Sequence, residues 1–258
     1  MRMNLGAKAL MAAVCMLVAH TAVAEIDPGT IVGAWLFEKG GNTIADASGN
    51  RNDGTIEGDL KIVAGQFGNG LEFGGDADYV VIKDDDTLDL NEMTVAAWIF
   101  LKTYADDVRI ISKEEGVNDP YSVYSLQISG AGDSKLEFRP TLAGARQRIE
   151  TIADVPLDEW THVAATYDGS EVVMYINGEV DVAVAASGEM MVNDKDLWIG
   201  GSEFWEPRWF EGTMDDAVLL SVALPEDDIM TLVDVGLPVI LAVSPKGRLA
   251  AAWGDFKR

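Results

Sequence analysis

The sequence predicts an all-β protein: a two-sheet antiparallel β-sandwich of the jelly-roll type, with one short helix near the C-terminal side. Short runs rich in β-branched and aromatic residues recur from residue 30 onward, and clusters of Gly, Asp and Asn separate them. The 258-residue chain shows no alternation of strand and helix patterns and no repeat of fixed period. About a dozen strands over roughly 200 residues favours one sandwich over two smaller domains.

Residues 1–24 have the pattern of a secretory signal peptide. Two cations and no acid are present, an apolar run covers residues 9–19, and residues 22–24 (Ala-Val-Ala) form a small-x-small cleavage site. The run is too short for a membrane-spanning helix. We therefore expect an exported chain, either secreted or at the cell surface or in the periplasm. Its mature part has no cysteine, because Cys15 lies in the leader.

The charge balance excludes several classes of partner. Lys and Arg total 19 against 43 Asp and Glu, so the formal net charge is -24. Such a surface repels phosphate backbones and anionic headgroups, so neither nucleic acid binding nor membrane insertion is expected. The same surface suits hard cations such as calcium, which take oxygen ligands.

Most of the strands can be placed by their composition. The run 93–101 is apolar on both faces, as expected for a central strand of stacked sheets. In 160–184, an Asp-Gly and an Asn-Gly pair separate three strand patterns, which predicts a three-stranded meander. The other predicted strands are 30–37, 79–83, 108–112, 121–129, 135–138, 197–199 and 213–220.

The C-terminal region is predicted to contain a helix and an extension. Pro225 precedes three acidic residues that suit the start of a helix, and Gly236 suits its end. We therefore place the domain at 25–236. Residues 237–258 form a C-terminal extension, with an apolar strand at 237–243 and a short basic tail.

Short fragments in a specific order carry a family resemblance. They are Gly33-Ala-Trp-Leu-Phe37, Asp46-Ala-Ser-Gly-Asn50, Gly65-Gln-Phe-Gly-Asn-Gly-Leu-Glu-Phe73, Met93-Thr-Val-Ala-Ala-Trp98, Trp160-Thr-His-Val-Ala164, Tyr175-Ile-Asn-Gly178 and Gly212-Thr-Met-Asp-Asp216. Together they resemble the bacterial laminin-G-like jelly rolls of the concanavalin A-like lectin/glucanase superfamily, from about residue 32 to 235. The resemblance implies an architecture similar to carbohydrate-binding modules, and often one structural calcium.

The implied calcium site rests on the oxygen-rich loop 42–54. Its spacing mimics an EF-hand, but Arg51 stands where that loop needs Gly, so we reject an EF-hand. For a calcium loop of the jelly-roll kind, the candidate ligands are Asp46, Asn50 and Asp215. The alternative is that Asp46 and Asn50 only cap turns.

The loop 202–211 is the candidate ligand-binding segment. Aromatic faces stack on sugar rings and charged groups bind hydroxyls, so Trp205, Trp209 and Arg208 are the candidate binding residues. Its place between two strands puts the loop at an end or edge of the sandwich, with at least one of the two indoles exposed. The alternative is that these rings bury themselves against the edge of the sandwich.

No pattern in the sequence predicts catalysis. Glucanases of this architecture place alternate carboxylates on one strand, but Val184 stands where Glu179-Val-Asp181 would need its last acid. His162 reads as a packed core histidine, and no Gly-x-Ser-x-Gly sequence is present.

We expect a non-catalytic module that binds a glycan or glycosylated surface. A structural or adhesive surface protein that binds another protein is the alternative, and a degenerate glycoside hydrolase or lyase is less favoured. The oligomeric state is not predicted.

Overall fold

The computed structural model describes residues 26–114, 116, 122–130, 134–202, 204 and 208–242. Within them lie two 3-10 turns, Pro28–Thr30 and Asp86–Leu88, and the helix α1 (Glu226–Ala242). The strands are β1 (Ile31–Trp35), β2 (Thr43–Ile44), β3 (Gly54–Glu57), β4 (Lys61–Ala64), β5 (Asn69–Gly74), β6 (Tyr79–Ile82), β7 (Met93–Leu101), β8 (Val108–Glu114), β9 (Ser122–Ile128), β10 (Lys135–Phe138), β11 (Thr141–Leu142), β12 (Ala145–Arg146), β13 (Ile149–Asp154), β14 (Trp160–Tyr167), β15 (Glu171–Ile176), β16 (Glu179–Ala185), β17 (Leu197–Ile199) and β18 (Glu211–Leu220).

Two antiparallel sheets of eight strands each form the sandwich. The first sheet has the order β16-β15-β14-β7-β18-β5-β4, with β1 pairing with the second half of β18. The second sheet has the order β13-β10-β9-β8-β17-β6-β3-β2, and β11 and β12 form a separate hairpin. The predicted all-β sandwich with one helix is confirmed.

The main core lies between the two sheets. On β7, Val95, Ala97 and Ile99 belong to this core, while Ala96 belongs to a second apolar cluster. Successive residues of a strand point to opposite faces, so β7 is buried on both sides, as its composition predicts.

The predicted meander is present, and its second turn has the expected conformation. Asn177 and Gly178 have φ values of 52° and 86°. Two consecutive positive φ angles are typical of the type I′ turn that joins two tightly paired strands. The turn fixes the register in which β15 pairs with β16.

Helix α1 covers the outer face of the first sheet. Ile229 and Leu232 of the helix join Ala164 and Val218 of the sheet in the second apolar cluster. Gly236, with φ 72° and ψ 164°, breaks the helix where its end was predicted. Among the described residues, no helix is long and apolar enough to cross a membrane.

The predicted strand at 237–243 is wrong, because the chain resumes a helical course after Gly236 and continues to Ala242. Leu237 and Leu241 lie four residues apart, so one side of this short helix buries both of them. Pro238 lies in its first turn, where the missing N–H of proline is tolerated. The tail beyond residue 242 lies outside the described residues.

We expect Ile229→Ala to lower the free energy of unfolding by about 2–5 kcal/mol, since it leaves a cavity under the helix. Val239→Ala, at a position that is 50% exposed on the same element, is the matched control and should change it by less than about 0.5 kcal/mol. Urea unfolding measures both values. Equal effects of the two substitutions would contradict the docked position of the helix.

Candidate functional site

The two outer faces of the sandwich differ in chemistry. The outer face of the first sheet has an apolar cluster that packs against α1, together with buried residues such as Trp98, His162 and Asp216. On the second sheet, the residues that alternate with core residues on β8, β9 and β10 are polar. We call this surface the polar face, and its central residues are Arg109, Ser112, Glu114, Ser125, Gln127 and Glu137, all at most 3% exposed. Polar groups on an outer sheet face normally meet water, so this burial is unusual.

One row of the polar face crosses four strands. Arg109 of β8 pairs in register with Gln127 of β9, which pairs with Glu137 of β10, which pairs with Glu150 of β13. Directly opposed residues on one face have neighbouring side chains. The row therefore brings together four side chains that can all form hydrogen bonds.

Asp107 lies at the start of this row and binds two arginines. Its Oδ1 is 2.8 Å from Nη2 of Arg139, and its Oδ2 is 3.2 Å from Nη1 of Arg208. Gln127 Nε2 also donates to Asp107 Oδ1, at 3.1 Å. Burial raises the pKa of Asp107, but the hydrogen bond and charge of Arg139, with the charges of Arg109 and Arg208, outweigh it and leave the pKa below its usual range.

Glu137 continues the row on the other side of Arg139. Arg139 Nη2 donates to Glu137 Oε2 at 2.9 Å, and Arg148 Nε is 3.0 Å from Glu137 Oε1. Arg148 Nη2 in turn donates to Oε1 of Glu150, at 2.7 Å. Burial raises the pKa of Glu137 above its usual value, although the two arginines reduce that rise. These contacts form a continuous series of alternating charges, which we call the charge ladder: Arg208, Asp107, Arg139, Glu137, Arg148 and Glu150.

A second ion pair on the polar face leaves hydrogen-bonding capacity unused. Arg109 Nε donates to Glu114 Oε1 at 2.7 Å, and both side chains are at most 3% exposed. Glu114 Oε2 and the hydroxyls of Ser112 and Ser129 are buried without a hydrogen-bond partner. A buried polar atom left unpaired costs about 1–3 kcal/mol. These atoms are also closed to solvent, so they lower the stability of the polar face and do not form a contact for a ligand.

The loop after β17 flanks the polar face and crosses to the first sheet, where β18 begins. Arg109 N–H donates to the carbonyl oxygen of Arg208, at 3.2 Å, which ties this loop to β8. Trp209 is partly buried, and a Cβ at Gly201 would lie 2.9 Å from its Cδ1, so the indole packs closely on the backbone. Of the predicted binding residues, Arg208 thus contacts the polar face, and Trp209 follows it in the chain and packs on Gly201. Trp205 lies outside the described residues.

The predicted calcium ligands have other partners. The two oxygens of Asp46 accept hydrogen bonds from Ala34 N–H, Ser48 N–H, Ser48 Oγ and Asn52 N–H, at 2.7–3.1 Å. A carboxylate has about four acceptor positions, so these bonds fill them. Asn50 Nδ2 donates to the carbonyl oxygens of Ile31 and Val32, each at 2.9 Å. These contacts fit the turn-capping alternative better than the ligand role.

Asp215 lies in a bulge of β18, next to Asp216, and the two carboxylates anchor different segments. Asp215 Oδ2 accepts from Phe67 N–H at 2.8 Å, and Asp216 Oδ2 accepts from Leu237 N–H at 2.7 Å. Burial raises the pKa of Asp215 to about 7 and that of Asp216 to about 8. Within the described ranges, no group of three or more His, Cys, Asp or Glu is arranged to hold a metal ion. Calcium binding stays a prediction.

The residues considered for catalysis have structural contacts. His162 is 2% exposed, and its ring lies 5.4 Å from that of Trp98. Burial lowers its pKa to about 3, and its Nδ1 has no hydrogen-bond partner. Asp181 accepts hydrogen bonds from the N–H groups of Ile152 and Ala153 on the edge strand β13. The Asp181 carboxylate therefore holds the backbone of β13 through these two hydrogen bonds.

A family model for laminin-G-like domains, described as the concanavalin A-like lectin/glucanases superfamily, matches residues 73–230. That match covers more than half of the chain. The chain belongs to the concanavalin A-like lectin/glucanase superfamily. The resemblance carried by the sequence fragments is therefore confirmed. A search of the curated proteins finds no match for this member of the superfamily.

Solved structures of other proteins share the fold of this superfamily member. Domain 4 of AbnA, a GH43 extracellular arabinanase from Geobacillus stearothermophilus in complex with arabinotriose, has a TM-score of 0.64 and 19% identity, over 80% of this chain and 98% of that one. The receptor binding domain of the botulinum neurotoxin C/D mosaic serotype has a TM-score of 0.63 and 17% identity, over 80% of this chain and 51% of that one. A sialidase of Trypanosoma rangeli has a TM-score of 0.58 and 19% identity, over 80% of this chain and 33% of that one. At these identities the likeness shows a lectin-like fold.

The pKa of His162 predicts a specific response to acid. Between about pH 6.5 and pH 3 the unfolded chain binds a proton at this site that the folded protein does not, so lowering the pH removes stability, by about 1.4 kcal/mol per pH unit. His162→Gln lacks this loss. From pH 6 to pH 4 we therefore expect the unfolding free energy of the variant to rise relative to that of the wild type by about 1.4 kcal/mol for each pH unit. The difference should stay constant from pH 7 to 8. An imidazole that titrates near pH 6.5 by NMR would contradict this.

The contacts of Asp46 predict the response to a chelator. If Asp46 only caps its turn, EDTA should leave the melting temperature unchanged, because the protein fills its acceptor positions; if the loop binds calcium, EDTA should lower it. Asp46→Ala should lower the unfolding free energy by about 2 kcal/mol or more, since several donors lose their acceptor. A melting temperature that falls in EDTA and returns with added calcium would contradict a purely turn-capping role and support the calcium hypothesis.

Proposed function

We propose that this chain is an exported, non-catalytic module that binds glycans on the outer side of its second sheet, at the solvent-accessible members of the charge ladder, Arg148, Glu150 and Arg208. The observation that carries the proposal is the charge ladder beside the partly exposed Trp209. On the opposite outer face α1 packs against the apolar cluster, and the buried Trp98, His162 and Asp216 of that face form no ion pair among the described residues. Export is supported by the leader pattern at 1–24.

The chemistry of the ladder suits hydroxyl groups at fixed spacing. Arginine offers five donors in a rigid fork, and each carboxylate offers about four acceptor positions, so both retain capacity after pairing with each other. Neighbouring ring hydroxyls of a sugar can donate to a carboxylate and accept from a guanidinium at the same time. The ion pairs hold these groups in place before the ligand arrives, which reduces the entropy lost on binding.

Aromatic stacking would supply the remaining part of such a site. The face of an indole is apolar and fits the C–H face of a sugar ring, while polar groups around it set the orientation. Trp209 lies next to Arg208 in sequence, at the end of the ladder that belongs to the loop. The arabinotriose complex of the arabinanase domain supports a sugar ligand for this fold by analogy.

One observation favours a protein partner as the alternative. Ile152 of β13 is 73% exposed, and Val180 and Val184 of β16 are 44% and 38% exposed, at the adjacent edges of the two sheets. Exposed apolar side chains are a feature of protein contact surfaces. A neurotoxin binding domain of this fold is known in complex with synaptotagmin II, with 15% identity over 81% of this chain and 52% of that one.

A glycan array with purified protein tests the proposal. We expect Trp209→Ala and Arg208→Gln each to weaken glycan binding by about tenfold or more, because a lost charged hydrogen bond or stacking contact is worth at least about 1.4 kcal/mol. Because Trp209 packs on Gly201 and Arg208 pairs with Asp107, both substitutions should lower the melting temperature, so binding is compared at a temperature where circular dichroism shows each variant folded. Arg51→Gln, on an exposed loop outside the ladder, is the control and should bind like the wild type.

Binding to no glycan on the array would contradict the proposal. So would glycan binding that both site variants retain in full. Protein capture that is lost in Ile152→Ser, together with no glycan binding, would favour the alternative.

A further inference from the structure

We infer that the polar face selects uncharged glycans and rejects those that carry carboxylate or sulfate groups. The inference rests on the proposed function and adds the chemical class of its ligand. Arginines in a binding site usually indicate an anionic ligand. Here the contacts of the arginines point to the opposite conclusion.

Each arginine of the polar face already has a carboxylate partner. In the charge ladder, Arg139, Arg148 and Arg208 alternate with Asp107, Glu137 and Glu150, so three cations meet three anions. Arg109 is paired with Glu114 in the same way. The polar face therefore has no excess of positive charge for an anionic sugar.

The burial of these carboxylates makes the pairing hard to exchange. The side chain of Glu137 is fully buried and that of Asp107 is 12% exposed. If an arginine turned to an anionic ligand, its carboxylate would stay behind in a buried place without its partner, which is strongly unfavourable. A neutral hydroxyl can join the same groups while the ion pairs stay intact.

The net charge of the whole chain, at -24, acts in the same direction but cannot set the preference alone. Exposed charges are largely screened beyond about 8 Å at physiological salt. The groups that touch the ligand decide the selectivity, and these belong to the ladder. Because a few side chains decide the selectivity, and not the net charge of the chain, single substitutions can test the inference.

The first experiment compares ligand classes on the full mature chain. The probes are neutral arabino-, xylo-, gluco-, manno- and galacto-oligosaccharides, and uronate, sialylated and sulfated oligosaccharides of matched length. We expect the wild type to bind within the neutral set only, with a Kd that changes by less than about twofold between 50 and 500 mM NaCl. Tighter binding of an anionic probe, or a steep loss of affinity with salt, would overturn the inference.

The second experiment converts the preference. Asp107→Asn removes one negative charge between Arg139 and Arg208, and we expect the affinity for a uronate or sulfated probe to rise by about tenfold and to fall again with salt. Asp106→Asn is the matched control, since Asp106 is 58% exposed and 3.9 Å from Arg208, and it should leave the anionic probes unbound. If Asp107→Asn fails to fold, Glu150→Gln provides the same test, since it removes one of the two carboxylates that pair with the exposed Arg148.

The outcomes separate the inference from the proposed function. No binding of any glycan by the wild type overturns the proposed function and the inference with it. Binding of anionic glycans that is lost in Arg208→Gln overturns only the inference. Neutral binding without any gain in the Asp107 or Glu150 variants shows that the ladder does not set the preference, and also overturns it.

Discussion

Each central strand of this sandwich has two faces, and only one of them can point into the core between the sheets. The other face needs its own partner, and the two sheets meet this requirement in different ways. On the outer side of the first sheet, α1 with Ile26 and Ile31 completes a second hydrophobic cluster. The outer side of the second sheet is polar, so its buried groups depend on one another. This difference determines which surface has chemistry available for a ligand.

The dependence is strongest around Asp107, which lies at the centre of the polar groups. Its φ angle is 53°, a left-handed conformation that Asp tolerates better than most residues. Its carbonyl oxygen accepts from Arg109 Nη1 at 2.7 Å, while its carboxylate holds Arg139 and Arg208. One residue therefore links β8, β10 and the loop that precedes β18.

Much of the fold could be predicted from the sequence, because its signals are local. The apolar run 93–101 and the turn residues within 160–184 are enough to place β7 and β14 to β16. The strands β2 to β5 and β11 to β13 were missed, since they are short or carry glycines and charges. The run 237–243 was assigned to a strand because an apolar segment of that length has no clear period, and only contact with the sheet favours the helix.

The candidate site was harder to predict, because its contacts join distant parts of the chain. The aromatic loop was visible, and so were Arg208 and Trp209. The ladder was not, since Asp107, Arg139 and Arg148 become neighbours only through the order β13-β10-β9-β8. The one local signal was the alternation of charged and apolar residues in Lys135-Leu-Glu-Phe-Arg139, which places Glu137 and Arg139 on the same face. Asp46 and Asp215 could be singled out from the sequence as acidic residues, but their hydrogen bonds to Ala34 and Phe67 join distant segments and could not.

The contact of Asp181 with β13 has a consequence for how the protein behaves at high concentration. An edge strand with free N–H groups invites pairing with the edge of another molecule, which is a common route to aggregation. The Asp181 carboxylate occupies the N–H groups of Ile152 and Ala153, and it places a negative charge where an incoming strand would lie. Two molecules therefore cannot join their second sheets through this stretch of β13 without displacing a carboxylate. The exposed side chain of Ile152 remains accessible, but the backbone behind it is closed to sheet extension.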